Sequence, residues 1–157
     1  MKKLFISIIL LFSMTSFAKE NINLSGIQLK DLNNDTVTLD QYHGKKVYLK
    51  AWASWCPICL AGLDEIEQLS IDKNKKFEVV TIVSPGHKGE KMTEQFIEWY
   101  NGLEYKNITV LLDEQGEIIK TAGIRGYPSS LILDENLDVI KTIPGHLGVE
   151  QINSYIK

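Results

Sequence analysis

The sequence predicts a single α/β domain whose sheet is mostly parallel in its first half and finished by antiparallel strands. Strand-like runs at residues 47–53, 77–83 and 108–112 are separated by stretches with apolar residues at helical spacing. Two further runs, Ser129 to Leu133 and Val139 to Ile143, flank the polar turn Asp134-Glu135-Asn136, the pattern of an antiparallel hairpin. A chain of 157 residues, 44% hydrophobic and 24% charged, suits one domain with a sizeable core. It contains no low-complexity stretch or internal repeat, which sets aside disorder and solenoid architectures.

Each element has its own signal. Thr36-Val37-Thr38-Leu39 alternates polar and apolar residues, as a half-buried edge strand does, and Asn33-Asn34 before it reads as a turn. Val47 to Ala53 follows Gly44 and is rich in β-formers, so it reads as a central strand. Leu60, Leu63, Ile66 and Leu69 predict a helix from about Pro57 to Ser70, with proline tolerated in the first turn. Phe77 to Val83 is a continuous β-branched run, the mark of a strand buried on both faces, and Ser84-Pro85-Gly86 breaks it. Glu90 to Tyr100 places Met92, Phe96, Trp99 and Tyr100 on helical spacing, predicting a second amphipathic helix. Ile108 to Leu112 reads as a third core strand, and Gly116 to Thr121 fits a short helix or a strand equally. Residues 148–157 close the chain as a helix.

The first 18 residues differ from the rest. Lys2 and Lys3 precede an apolar run, Leu4 to Phe12, broken only by Ser7, and Ser16-Phe17-Ala18 puts small residues at −3 and −1 of a cut after Ala18. That is the layout of a secretory signal peptide over 1–18, leaving 19–157 as the domain and placing it outside the cytoplasm. The apolar run falls short of the roughly 20 residues of a membrane span, so an uncleaved anchor is the lesser alternative. Without residues 1–18 the chain holds 15 basic and 20 acidic residues, a net charge of −5. With no basic cluster, nucleic acid is excluded as a partner class.

Only two cysteines exist, Cys56 and Cys59. Structural disulfides in exported domains link distant segments, whereas a bridge across three residues removes little entropy from the unfolded chain. The spacing favours redox chemistry. Cys56 falls where a strand ends and a helix begins, and the unpaired N–H groups and dipole there favour a thiolate. Cys59 lies one turn further on the same face. Access then makes Cys56 the attacking nucleophile and Cys59 the resolving thiol, with Pro57 stiffening the loop and Ile58 offering an apolar contact.

The run Ala51-Trp52-Ala53-Ser54-Trp55-Cys56-Pro57-Ile58-Cys59 resembles the active-site strand and loop of exported thioredoxin-like reductases of the TlpA/redoxin type. Gly126-Tyr127-Pro128-Ser129 resembles their second motif, in which a cis-proline at Tyr127-Pro128 faces the cysteines. The 68 positions separating Cys59 from Tyr127 exceed a minimal thioredoxin and suit the branch with an inserted segment. The resemblance implies a thioredoxin-like fold: a central mixed sheet flanked by helices, with an N-terminal extension and that insertion. Ser84-Pro85-Gly86-His87-Lys88-Gly89-Glu90 resembles a loop of a smaller subgroup, the electron donors to extracytoplasmic methionine sulfoxide reductases. Some members are fused to the reductase and others are separate proteins. It implies a methionine sulfoxide reductase as client and a membrane thiol transporter (CcdA/DsbD-like) as upstream donor, with no cofactor.

Two positions depart from the wider family. Cytoplasmic thioredoxins keep a buried Asp six residues before the first cysteine, which helps move the resolving cysteine's proton; here that residue is Lys50. A cation favours thiolate but accepts no proton while charged, which leaves Glu65 or a water as acceptor for Cys59. The cytochrome c maturation branch often has Glu three residues after the second cysteine, where this chain has Gly62.

Other readings stand beside these. Reduction of apocytochrome c or another exported disulfide is the alternative function. An oxidant is less favoured, because the dipeptide between the cysteines is Pro-Ile rather than Pro-His. A metal carrier would combine the cysteine pair with His43, His87 or His146, but no second cysteine pair or closely spaced histidine pair supports it, so no metal is expected. His87 is a candidate at the active-site mouth or an exposed loop residue, while His43 and His146 follow turn residues and read as surface groups. Trp55 is a candidate partner contact; Trp52, Trp99 and Tyr100 read as packing.

Overall fold

The computed structural model describes residues 21–156, so the signal-peptide reading of residues 1–18 lies outside the described residues. Two short strands, β1 (Leu29–Lys30) and β2 (Thr36–Val37), form an antiparallel hairpin. The Asp31 carboxylate accepts the N–H of Asn33 at 2.8 Å and of Asp35 at 2.9 Å, and Asn34 takes a left-handed φ of 67°. Asn tolerates that conformation, which is why the turn falls there. A 3₁₀ turn (Leu39–Tyr42) leads to β3 (Val47–Ala51). Then follow α1 (Pro57–Ala61), α2 (Leu63–Ile71), β4 (Glu78–Val83), α3 (Thr93–Asn101), β5 (Val110–Leu112) and α4 (Glu117–Thr121). The hairpin β6 (Ser129–Leu133) and β7 (Val139–Pro144), with α5 (Val149–Tyr155), completes the chain.

The seven strands form one mixed sheet in the order β2-β1-β5-β4-β3-β6-β7. β3, β4 and β5 are parallel; β6 and β7 continue antiparallel from β3, and β1 and β2 antiparallel from β5. Every residue of β3 is buried, as its place between β4 and β6 requires. Its alternation divides the core. Tyr48 and Trp52 face a cluster with Cys56, Cys59, Ile66 and Phe96, while Leu49 and Ala51 face Val80, Ile118 and Leu131 on the other side.

Several elements differ from the sequence expectation. The edge strand stops at Val37, because the Thr38 side chain accepts the Asp40 N–H and turns the chain into the 3₁₀ segment. The single helix expected over Pro57 to Ser70 is two helices meeting at Gly62 (φ −93°, ψ 1°). A Cβ there would lie 2.8 Å from the His146 ring and 2.9 Å from Lys50 Nζ, so only glycine lets those side chains approach. The second helix begins at Thr93 rather than Glu90. Met92 precedes it and is exposed, and the Glu90 carboxylate is drawn into another contact. β1 carried no sequence signal, being two residues long. The ambiguous segment after Gly116 is helical.

Buried Asp113 holds the start of α4, accepting the N–H groups of Glu117 at 2.8 Å and Ile119 at 3.2 Å. Asp113→Ala leaves these donors unsatisfied and should lower stability by about 1–3 kcal/mol in urea unfolding, with Asp113→Asn costing less.

Candidate active site

The site begins where β3 gives out. Trp52 N–H still pairs with the Ile82 carbonyl at 3.0 Å, and the Cys56 N–H closes a turn onto Ala53 O at 3.2 Å. Cys56 is then the N-cap of α1, in extended conformation (φ −95°, ψ 106°), with Pro57 at the first helical position. Its Sγ accepts the Cys59 N–H at 3.2 Å. A donor aimed at that sulfur favours its anionic form. The pair is bridged, with Cα atoms 5.2 Å apart, so both sulfurs meet within one helical turn. Cys56 is 5% exposed and Cys59 is sealed at 0%.

Trp52 backs the loop from below, packed against Phe96 at 5.8 Å, Tyr100 at 6.2 Å and Trp99 at 6.3 Å between ring centroids. Trp55 and Ile58 lie on the outside, 50% and 65% exposed beside the cysteines. The Tyr127-Pro128 peptide bond is cis. The Tyr127 ring meets Trp55 edge-on at 6.1 Å, which joins the second motif to the cysteine loop. Between them runs an open groove of about 690 Å³ lined by Ile58, Ile124, Tyr127, Pro128, Pro144 and His146 among others. Gly145 N–H donates to Pro128 O at 2.8 Å and fixes the far bank.

The segment from Ser84 to Lys91 closes the other side. Buried Glu90 accepts both the N–H and the hydroxyl of Ser54 at 2.5 Å, while Lys91 Nζ donates to Ser54 Oγ at 2.8 Å and sits 5.1 Å over the Trp99 ring. Glu90 thereby pins the residue two before Cys56. His87, a candidate for the mouth of the site, turns instead to the β5–α4 connection. Its Nε2 lies 3.0 Å from the Glu114 carbonyl and its ring covers Gly116. No hydrogen bond or ion pair links it to either cysteine.

His146 lies at the surface, as the sequence suggested, and there joins a chain of polar groups that the sequence did not indicate. Lys50, fully buried, reaches from the cysteine-facing side of β3 to within 3.3 Å of His146 Nδ1. His146 Nε2 lies 2.9 Å from Glu65 Oε2 on α2, whose other oxygen accepts the Val149 N–H at 2.9 Å. Burial pulls the Lys50 ammonium down to about 8, and the Glu65 charge opposes that shift. A lone histidine after Gly145 carries no periodic signal, so only the fold could bring it to Lys50, 96 positions away. His43 is paired with Asp40 at 3.5 Å, so the three histidines are dispersed. Among the described residues no group of three or more His, Cys, Asp or Glu side chains could hold a metal ion, and no helix is long and apolar enough to cross a membrane.

Comparison with known proteins adds a family. A family model described as Redoxin matches residues 13–156. The thiol-disulfide oxidoreductase ResA of Bacillus thuringiensis is 30% identical over 81% of this chain and 70% of its own length. Among solved structures, the exposed lipoprotein thioredoxin Etrx1 of Streptococcus pneumoniae superposes with a TM-score of 0.77 at 42% identity, covering 82% of this chain and 96% of that one. The N-terminal domain of PilB from Neisseria gonorrhoeae gives 0.76 at 31% identity, covering 82% and 85%.

The burial of Lys50 has a thermodynamic signature. Its folded pKa of about 8 lies below the ordinary 10.5, so between those values the unfolded chain binds more protons and stability rises with pH. Lys50→Met should therefore be more stable than the wild type at pH 7 by about 1–3 kcal/mol in denaturant melts, with the advantage shrinking as pH rises from about 8 and gone above about 10.5.

Proposed function

Because the chain belongs to the Redoxin family and is a thioredoxin-like thiol–disulfide oxidoreductase, we propose that it is an extracytoplasmic reductase of protein disulfides whose client is a methionine sulfoxide reductase. One observation carries the direction of attack. Cys56 keeps 5% exposure where Cys59 keeps none, it receives the Cys59 N–H, and exposed Trp55 and Ile58 flank it, with Ile58 lining the apolar groove.

In this reading Cys56 thiolate attacks the client disulfide, forming a mixed disulfide and releasing one client thiolate. Cys59 thiolate then attacks Cys56 Sγ. The Cys56–Cys59 bond forms, the bond to the client breaks, and the second client sulfur leaves as thiolate and takes a proton from water. The client gains two electrons and the cysteine pair loses two. A membrane thiol transporter restores the dithiol, since no soluble thioredoxin system works outside the cytoplasm. Trp55, Pro128 and the Tyr127 backbone hold the client strand, whose main chain pairs beside the cysteines as in strand addition.

Several features support the placement and the client. The basic start, short apolar run and Ala18 cut describe an export signal, and the pneumococcal neighbour is an exposed lipoprotein. A methionine sulfoxide reductase ends its cycle as a disulfide that needs such a donor. The Ser84–Glu90 loop resembles that subgroup, and the gonococcal neighbour is one domain of a longer protein, the arrangement of a donor fused to another unit. The dispersed histidines weigh against the metal-carrier reading.

Cys59→Ser should accumulate a mixed disulfide through Cys56 with an extracytoplasmic methionine sulfoxide reductase in the native cell, identified by mass spectrometry. Capture of apocytochrome c in its place moves the client to the alternative reading. The reduction potential, measured against glutathione buffers, should lie near that of thioredoxin at about −270 mV; a value near about −120 mV makes the protein an oxidant.

A further inference from the structure

The geometry points to a proton relay, Lys50–His146–Glu65, that takes up the proton of Cys59 and passes it to solvent when the mixed disulfide is resolved. It rests on the reading above, in which Cys59 is the resolving thiol. Cys59 is fully buried, so the thiolate that must attack Cys56 has no direct access to water as a base. Lys50 lies on the face of β3 between Tyr48 and Trp52, both of which belong to the cluster containing Cys59. Its ammonium ends against Gly62, one helical turn beyond Cys59, where a Cβ would come within 2.9 Å of Nζ.

A charged lysine blocks proton uptake, but a lysine connected to an outlet does not. Glu65 Oε2 at 2.9 Å holds the His146 proton on Nε2, which leaves the Nδ1 lone pair facing Lys50 at 3.3 Å. Lys50 passes a proton to Nδ1, and His146 delivers its Nε2 proton to Glu65 at the surface, where both side chains are about one-third exposed. Neutral Lys50 then accepts the Cys59 proton. Cys59 thiolate forms the bond to Cys56 Sγ, the bond from Cys56 to the client breaks, and the client sulfur leaves with the electron pair. The groups that act directly on Lys50 are His146 from the β7–α5 connection and Glu65 from α2; Tyr48 lies two residues along its own strand, and Cys59 belongs to the cluster on the face to which that strand turns Tyr48 and Trp52. Tyr48 is bonded to Ser130 Oγ at 3.0 Å and burial raises it to about 12, so it stays protonated throughout. The burial that lowers Lys50 to about 8 keeps part of it neutral near physiological pH.

The test uses the reduced full chain and 5,5′-dithiobis(2-nitrobenzoate) in a stopped-flow instrument. Attack by Cys56 releases one nitrothiobenzoate, and attack by Cys59 on the resulting mixed disulfide releases the second. His146→Gln and Glu65→Gln should slow the second release by about 10- to 100-fold near pH 7, with recovery as pH rises to about 10, and Lys50→Met should do the same. The first release is the internal reference for Cys56. A second-release pH profile that superposes on wild type in the two surface variants overturns the relay, and so does uniform slowing at every pH, the mark of a purely structural role. No first release from the wild type would overturn the reductase reading itself, and the relay with it.

Discussion

The antiparallel pairing of β3 with β6 is the constraint on which the site depends. It sets Lys50 opposite Ser130 and Ala51 opposite Ser129, so the two strands finish and begin at the same end of the sheet. Cys56 follows β3 by five residues and Pro128 immediately precedes β6. Two motifs far apart in sequence therefore meet at one groove, which Ile58 lines from the cysteine loop and Tyr127 and Pro128 from the second motif. A slip of one residue would invert every side chain of β3, carrying Lys50 away from the cysteine helix and Leu49 toward it. Both faces of β3 are buried against different clusters, so the register is strongly specified.

Around that pairing, polar groups do the positioning where apolar contacts lack direction. Glu90 and Lys91 reach in from the Ser84–Lys91 segment and converge on Ser54, fixing the approach to Cys56 by charge-assisted hydrogen bonds, while the Trp52 aromatic cluster supports it from below. Tying the redox loop to a separate segment limits its freedom while Trp55 and Ile58 beside it stay exposed. What remains outside is apolar: Trp55 and Ile58 present a surface that loses water on contact, suited to a partner that docks and leaves.

Burying Lys50 works against stability, since an ammonium taken out of water is favoured only as far as Glu65 and His146 compensate. A hydrophobic residue would serve the core better. Gly62, which leaves space for Lys50 and His146 and divides what would be one helix, is a second concession to the same group. Two departures from good packing meet at one spot within a helical turn of Cys59, where a better-packed core was open to the sequence.

The sequence by itself determined the α/β class, the three parallel core strands, the closing hairpin and the cysteine pair, because these rest on local periodicity and on short motifs whose chemistry follows from spacing. The β-rich run at Phe77 to Val83, short and ended by Ser84-Pro85-Gly86, reads as an inner strand, and a proline following Cys56 suits the first turn of a helix. Tertiary structure decided what depends on distant neighbours. Met92 has helical spacing with Phe96, yet it stays outside α3 because the residues before it are held at Ser54. His87 lies in a motif that suggested the active-site mouth, yet the Glu114 carbonyl and the open space above Gly116 draw it elsewhere. His146 carries no local pattern at all; its contacts with Lys50 and Glu65 come from three separate elements meeting over Gly62. Periodicity encodes which face of an element is apolar, but a polar contact across the fold depends on register and on side-chain reach, and these exist only once the sheet has formed.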